Sequence, residues 1–122
     1  MLPEDVERFI RKHVRSVWAL EILLLIYRNR ERSWTAHELN RELRSSPQLV
    51  VDVLLKFERS ELITRAAGER YQWNDATPEL KRLVAHLAEA YATYPFSVIE
   101  AIYSTQVEQI QALADAFKIK KE

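Results

Sequence analysis

The chain of 122 residues carries 18 basic and 18 acidic residues, so its formal net charge is zero. Hydrophobic residues make up 48% of it and charged residues 30%, a composition that excludes an intrinsically disordered protein. The absence of cysteine excludes disulfides, thiolate metal sites and a cysteine nucleophile. With one Gly and four Pro in a chain of this length, we expect one mainly helical domain with few loops.

The longest uninterrupted apolar run, residues 22–27, is far shorter than a membrane-spanning helix. The first residues are charged from Glu4 onward, unlike a signal peptide. We therefore expect a cytoplasmic protein with no membrane partner.

The first two elements are helices. The sequence Pro-Glu-Asp at residues 3–5 predicts a helix start, because acids favour the positive end of the helix dipole, and this helix runs to about His13. Ser16 is the predicted N-cap of a second helix that ends near Asn29. Its centre is apolar on almost every side, so we expect it in the middle of the core.

A short strand and a third helix follow. Residues 33–34, Ser-Trp, predict a single short strand. Thr35 and Glu38 have the spacing of a capping box, in which each side chain satisfies a backbone donor at the helix start. The third helix is predicted to run to about Leu43.

The next segment, Arg-Ser-Ser-Pro at residues 44–47, predicts a tight turn that also starts a fourth helix. Ser46 is the predicted cap, and Pro47 takes the first helical position, where its missing N–H costs nothing. This helix is predicted to run to about Arg59. The residues predicted to line its buried face are Val50, Val53, Leu54 and Phe57.

Residues 62–65 and 70–73 are β-prone runs joined by a short segment that contains Gly68, the one glycine of the sequence. They predict a hairpin in which Gly68 supplies the positive φ angle of the turn.

The C-terminal third is predicted to be helical. Thr77 and the proline after it predict the start of a long helix that ends near Tyr94, and a short helix is expected over residues 98–103. Thr105 and Glu108 have the spacing of a second capping box, which predicts a separate last helix. We expect one side of it to form core or dimer surface: Val107, Ile110, Leu113, Ala114 and Phe117.

Over residues 16–74, helix, short strand, helix, tight turn, helix and hairpin follow in this order. The arrangement resembles a winged helix-turn-helix domain similar to those of MarR- and PadR-type bacterial transcription regulators. The resemblance rests on SVWALEILLLIY as central helix, WTAHELNREL as supporting helix, and RSSPQLVVDVLLKFERSELI as turn, recognition helix and entry to the wing.

The resemblance implies a mainly α fold, a winged helix-turn-helix with a small β-hairpin wing. It divides the chain into an N-terminal helix over residues 1–15, the winged domain over residues 16–76, and a C-terminal helical oligomerisation element over residues 77–122. By the same resemblance, the protein is a homodimeric, DNA-binding transcription regulator whose flanking helices form the dimer.

Residues that contact double-stranded DNA can also be named by this resemblance. The start of the fourth helix enters the major groove, where a glutamine amide can bond adenine twice and serine hydroxyls can bond phosphates. The residues implied near bases or phosphates are Ser45, Ser46, Gln48 and Asp52. The residues implied to supply phosphate contacts are Arg44, Lys56, Arg65 and Arg70.

Zero net charge is unusual for a nucleic-acid-binding protein, and Asp52 places a negative charge on the predicted reading face. A second hypothesis is therefore a winged-helix adaptor that binds a protein partner through Leu49, Asp52 and Leu55 without direct DNA binding. A third is that a small effector binds between the winged domain and the C-terminal helices. That site would lie near Tyr91, Tyr94 and Phe96.

Other side chains that could carry chemistry favour structural interpretations. The three histidines, His13, His37 and His86, lack metal-ligand spacing, so we predict no metal and no cofactor. The three tryptophans, Trp18, Trp34 and Trp73, are predicted to pack rather than to form a ligand cage. No phosphate loop, nucleophile with its base or paired carboxylates can be recognised, so we expect no enzyme.

Overall fold

The computed structural model describes the backbone of residues 2–120 and the side chains of residues 2–116. Helices and strands follow in the order α1 (Glu4–His13), α2 (Val17–Arg28), α3 (Ala36–Leu43), α4 (Pro47–Arg59), β1 (Ile63–Ala66), β2 (Arg70–Trp73), α5 (Pro78–Thr93) and α6 (Pro95–Lys120). Among the described residues, no helix combines the length and the hydropathy that a membrane span requires.

Three of the predicted helix starts form as expected. The Ser16 hydroxyl accepts a hydrogen bond from the Ala19 N–H at the start of α2. At the start of α3, Thr35 Oγ1 accepts from the Glu38 N–H while Glu38 Oε1 accepts from the Thr35 N–H, so the capping box is complete. Ser46 caps α4 with Pro47 in its first turn. These bonds satisfy backbone donors that have no partner within the helix.

The predicted hairpin is confirmed. β1 and β2 pair antiparallel, with Ile63 opposite Trp73 and Ala66 opposite Arg70. Gly68 has a φ of 74° in the turn, where a side chain would strain the backbone. Trp34 forms one isolated β-bridge with Tyr71 on β2. The short strand predicted at residues 33–34 is therefore present only as this single residue pair.

The core surrounds α2. Of its 12 residues, six are buried on several sides of the helix, as its nearly uniform apolar sequence predicts. α4 packs against α2, α3 and β1. The predicted buried face of α4 is confirmed: Val50, Val53, Leu54 and Phe57. α1 packs on α5 and α6, and the buried Val98 and Ile102 join the first turns of α6 to the same core.

Two predictions for the C-terminal third are wrong. The two helices expected over residues 98–103 and after Thr105 are one continuous helix, α6. The Thr105 hydroxyl, which was predicted to cap, donates instead to the Ala101 carbonyl one turn earlier. A threonine can make this bond inside a helix, so the capping-box spacing did not require a helix start. Thr77 precedes α5 without a side-chain cap among the described residues.

Apolar side chains in two places are exposed. Trp18, which was expected to pack, lies on the outer side of α2 with 42% of its surface exposed. The predicted apolar row on the second half of α6 faces solvent, with Val107, Ile110 and Leu113 each about 60–67% exposed. The side chain of Phe117, the last member of that row, lies outside the described residues.

Candidate nucleic-acid interface

The turn between α3 and α4 leaves the start of α4 open to solvent. Arg44 ends α3 in a left-handed conformation with a φ of 52°, and its N–H donates to the Asn40 carbonyl at 2.7 Å. The chain then reverses over two residues, and the Ser46 hydroxyl accepts from the Leu49 N–H at 3.2 Å. α3, this turn and α4 form a helix-turn-helix pair, as predicted.

The side chains at this end of α4 present polar groups outward. Arg44, Ser46 and Gln48 are exposed, and no ion pair joins Arg44 to another described residue. The Ser46 hydroxyl accepts a backbone bond and can still donate its own proton. Ser45 is half-buried, and its Oγ has no hydrogen-bond partner among the described atoms. The first turn of α4 contains no acid, so the positive end of its dipole is not neutralised from within the helix.

Gln48 and Asp52 are engaged with each other. Gln48 Nε2 donates to Asp52 Oδ1 at 2.9 Å, and the bond is exposed. Pairs of this kind, four residues apart on a helix surface, stabilise by only about 0.2–0.5 kcal/mol. The amide of Gln48 can therefore exchange this bond for one to a base at little cost.

Lys56 lies away from the open end of α4. It is half-buried and lines a groove beside α4 with His13, the last residue of α1, and Arg15 of the segment joining α1 to α2. Desolvation, followed by the charge of Arg15, lowers the pKa of Lys56. The structure does not bring Lys56 together with Arg44.

The two wing arginines are paired inside the molecule. Arg65 Nε lies 3.0 Å from Glu58 Oε2 on α4, and this hydrogen bond raises the pKa of Arg65. Arg70 Nη2 donates to Glu38 Oε1 on α3 at 2.9 Å, and its Nε donates to Ser33 Oγ at 2.8 Å. The turn between the strands carries Glu69 rather than a basic residue.

Sequence reasoning placed Arg59 on the outer face of α4 but missed the exposed Val51 and gave neither residue a role in the site. Arg59 is exposed in the last turn, and Val51 in the middle of the helix is 38% exposed. Helical spacing from Gln48 through Asp52 places Arg59 near the same face, a signal present in the sequence. The outer face of α4 is thus basic only toward its ends and apolar or acidic between them.

No protein-family model matches the chain, and no curated protein matches it. Among solved structures, the crystal structure of MepR, a transcription regulator of the Staphylococcus aureus multidrug efflux pump MepA, aligns over 98% of this chain and 89% of that chain. The TM-score is 0.56 and the sequence identity 14%. A mutant of MepR from a multidrug-resistant S. aureus clinical isolate aligns over 98% and 88%, with a TM-score of 0.55 and 14% identity. The chain therefore has a winged-helix fold, as the order of its helices and strands predicted.

Proposed function

We propose that the protein is a DNA-binding transcription regulator that acts as a homodimer in the cytoplasm. The observation that carries this proposal is the open, acid-free start of α4 beside Arg44, which forms no ion pair with any described residue, in a fold shared over 98% of the chain with a transcription regulator. In this proposal, the start of α4 enters the major groove.

We propose a role for each of three residues in the site. Arg44 binds a phosphate at the edge of the groove, the Ser46 hydroxyl donates to a second phosphate, and Gln48 reads a base after releasing Asp52. Arg44 occupies a left-handed position where a β-carbon costs about 1 kcal/mol and glycine costs little.

The dimer is proposed to form through the flanking helices, with residues 16–76 as the winged domain and residues 77–122 as the oligomerisation element. The row Val107, Ile110 and Leu113 on α6 is exposed in the single chain. Burying such a row against a second copy removes apolar surface from water, at about 25 cal/mol for each Å². Two winged domains related by a twofold axis would then meet two half-sites on DNA.

DNA binding is tested with random-sequence duplex DNA across a salt series. We expect affinity to fall steeply with salt, because bound phosphates release counterions. Arg44→Gly removes the positive charge and the strain of a β-carbon in the left-handed conformation. We therefore expect weaker DNA binding and a salt slope smaller by about one, with no loss of stability. Glu61→Gly is the matched control, because Glu61 is also exposed in a left-handed conformation and carries the opposite charge.

Two results would contradict the proposal. One is the absence of binding even at low salt. The other is an Arg44→Gly variant whose affinity and salt slope equal those of the Glu61→Gly control.

One observation favours the adaptor as a second candidate function. Between Arg44 and Lys56 the outer face of α4 carries the exposed Val51, the half-buried Leu55, and Asp52, which forms no ion pair with a described Lys or Arg. Such a face suits a protein partner better than a polyanion. If DNA binding is absent, loss of a stoichiometric partner in Leu55→Arg and its retention in Arg44→Gly would support the adaptor.

A further inference from the structure

Arg70 and Glu38 join the wing to the first helix of the helix-turn-helix pair. Arg70 Nη2 donates to Glu38 Oε1 at 2.9 Å and to the Ser33 carbonyl at 3.0 Å, while Arg70 Nε donates to Ser33 Oγ at 2.8 Å. The Arg70 and Glu38 side chains are only 35% and 26% exposed. We call Ser33, Glu38 and Arg70 the wing anchor.

Glu38 also holds the segment that precedes α3. Its Oε1 accepts from the Thr35 N–H at 2.8 Å, and its Oε2 lies 3.3 Å from Arg32 Nη2. The Thr35 bond is the largest cause of a lowered pKa for Glu38; desolvation opposes it, and the charges of Arg70 and Arg32 add to it. The carboxylate thus stays ionised at neutral pH and binds two guanidinium groups.

Backbone and stacking contacts extend the wing anchor. The Trp34 and Tyr71 backbones exchange two hydrogen bonds of 2.7 Å, which fix β2 beside the start of α3. The Arg32 guanidinium lies 3.6 Å from the centre of the Trp34 ring. On the other strand, Arg65 pairs with Glu58 of α4. Each strand of the wing is therefore joined by an ion pair to one helix of the helix-turn-helix pair.

We propose that the wing anchor sets the orientation of the wing relative to α3 and α4, and that Arg70 is a positioning residue rather than a phosphate ligand. This inference rests on the proposed DNA-binding function. To bind a phosphate, Arg70 would give up its bonds to Ser33 and leave the Glu38 carboxylate without this partner close to a polyanion. Both changes oppose the contact.

Two conservative variants separate the possible roles. Glu38→Gln keeps a capping box, because a glutamine oxygen can also accept from the Thr35 N–H, but it removes the charge that pairs with Arg70. Arg70→Lys keeps the positive charge but loses the planar fork that reaches Ser33 and Glu38 together. A phosphate contact tolerates Arg70→Lys, whereas the wing anchor does not.

The experiment measures amide hydrogen exchange of residues 63–73 and DNA affinity across a salt series for the full chain. We expect Glu38→Gln and Arg70→Lys each to speed exchange in the wing and to weaken DNA binding, both by about threefold to tenfold. The salt slope should stay unchanged in both variants, because no phosphate contact is lost. Arg44→Gly is the comparison, with a smaller salt slope and unchanged exchange in the wing.

The inference is overturned if Arg70→Lys leaves wing exchange and DNA affinity at wild-type values, or if Arg70→Ala lowers the salt slope by about one. If the wild-type protein binds no DNA, the proposed function fails, and exchange alone decides the wing anchor. In that case faster exchange in both variants upholds the anchor, and unchanged exchange overturns it.

Discussion

The helices α4 and α6 both carry an apolar row at helical spacing, but the chain covers only one of them completely. On α4, Leu54 is fully buried and Phe57 is 1% exposed. On α6, Val98 and Ile102 are fully buried, while Ile110 two turns later is 67% exposed. The same sequence pattern therefore ends in a closed core in one helix and at an open surface in the other.

The difference arises from what lies beside each helix. α4 packs its apolar face against α2, α3 and β1, whereas the described side chains of α6 from residue 107 onward are exposed. Near this point Glu108 pairs with Arg11 of α1 at 3.7 Å, and the Gln106 amide donates to the carbonyl of Arg15, in the segment between α1 and α2. Periodicity thus predicts that a helix face is buried, but it does not say whether the same chain or a second copy buries it.

The largest expected effect is a loss of stability when the buried face of α4 is changed. Phe57→Ala should lower the free energy of unfolding by about 3–5 kcal/mol, because a buried ring is lost and a cavity remains. Leu113→Ala on α6 should cost no more than about 0.5 kcal/mol in the dissociated chain. Urea unfolding at low protein concentration measures both, and equal losses would contradict the difference between the two helices.

A smaller effect, on dimerisation, is expected when the exposed row on α6 is changed. If a second copy covers the α6 row, Ile110→Glu should raise the dimer dissociation constant by at least about tenfold, because it buries a charge in an apolar interface. Ala112→Glu adds the same charge on the opposite side of the helix and is the matched control. Light scattering over a dilution series measures the dissociation constant. Equal dimerisation of both variants would exclude this row from the interface.

Most of the fold could be predicted because its signals are local. Ser16, Ser46 and the pair Thr35 and Glu38 lie within four residues of the donors they satisfy. Thr105 carried an equally local signal that was wrong, because the chain around it contains no helix breaker and the buried Ile102 holds the preceding turn in the core. A capping pattern predicts a helix start only where something ends the helix before it.

The candidate site was less predictable because it depends on pairs distant in sequence. The start of α4 follows from the turn sequence alone, but Arg70 meets Glu38 across 32 residues. Helical spacing placed Lys56 on the outside of α4 and could not reveal that Arg15 and His13 lie beside it. A period in the sequence shows which face of a helix is buried, but it does not show which residues of another helix or strand lie against that face.

Two helix starts with the same Ser/Thr-Pro pattern provide a finer comparison. Ser46 caps α4, whereas Thr77 makes no side-chain cap at α5 among the described residues. Ser46→Ala should therefore cost about 1 kcal/mol of stability, and Thr77→Ala only a few tenths. Thermal or urea unfolding measures both. A larger loss for Thr77→Ala would show that the hydroxyl of Thr77 caps in solution.

The smallest expected effect is a pH dependence at the junction between α1 and the winged domain. His13 is buried against Phe9, and its Nδ1 has no partner among the described atoms. Burial, followed by the charges of Lys12 and Lys56, lowers its pKa below the ordinary 6.5. As pH falls below 6.5, His13 binds a proton in the unfolded chain but stays neutral in the folded chain. The free energy of unfolding therefore declines until pH reaches the pKa of His13 in the folded chain.

The measurement compares urea unfolding at about pH 7.5 and about pH 5.5, an interval over which the ionisation of carboxylates changes little. Wild type should lose more stability over this interval than His13→Gln, while the exposed His37→Gln should behave like wild type. If His13→Gln keeps the full pH dependence, another group is responsible. If wild type instead gains stability at the lower pH relative to His13→Gln, His13 must acquire an anionic partner, and the acids that line grooves with it are Asp5, Asp52 and Glu79.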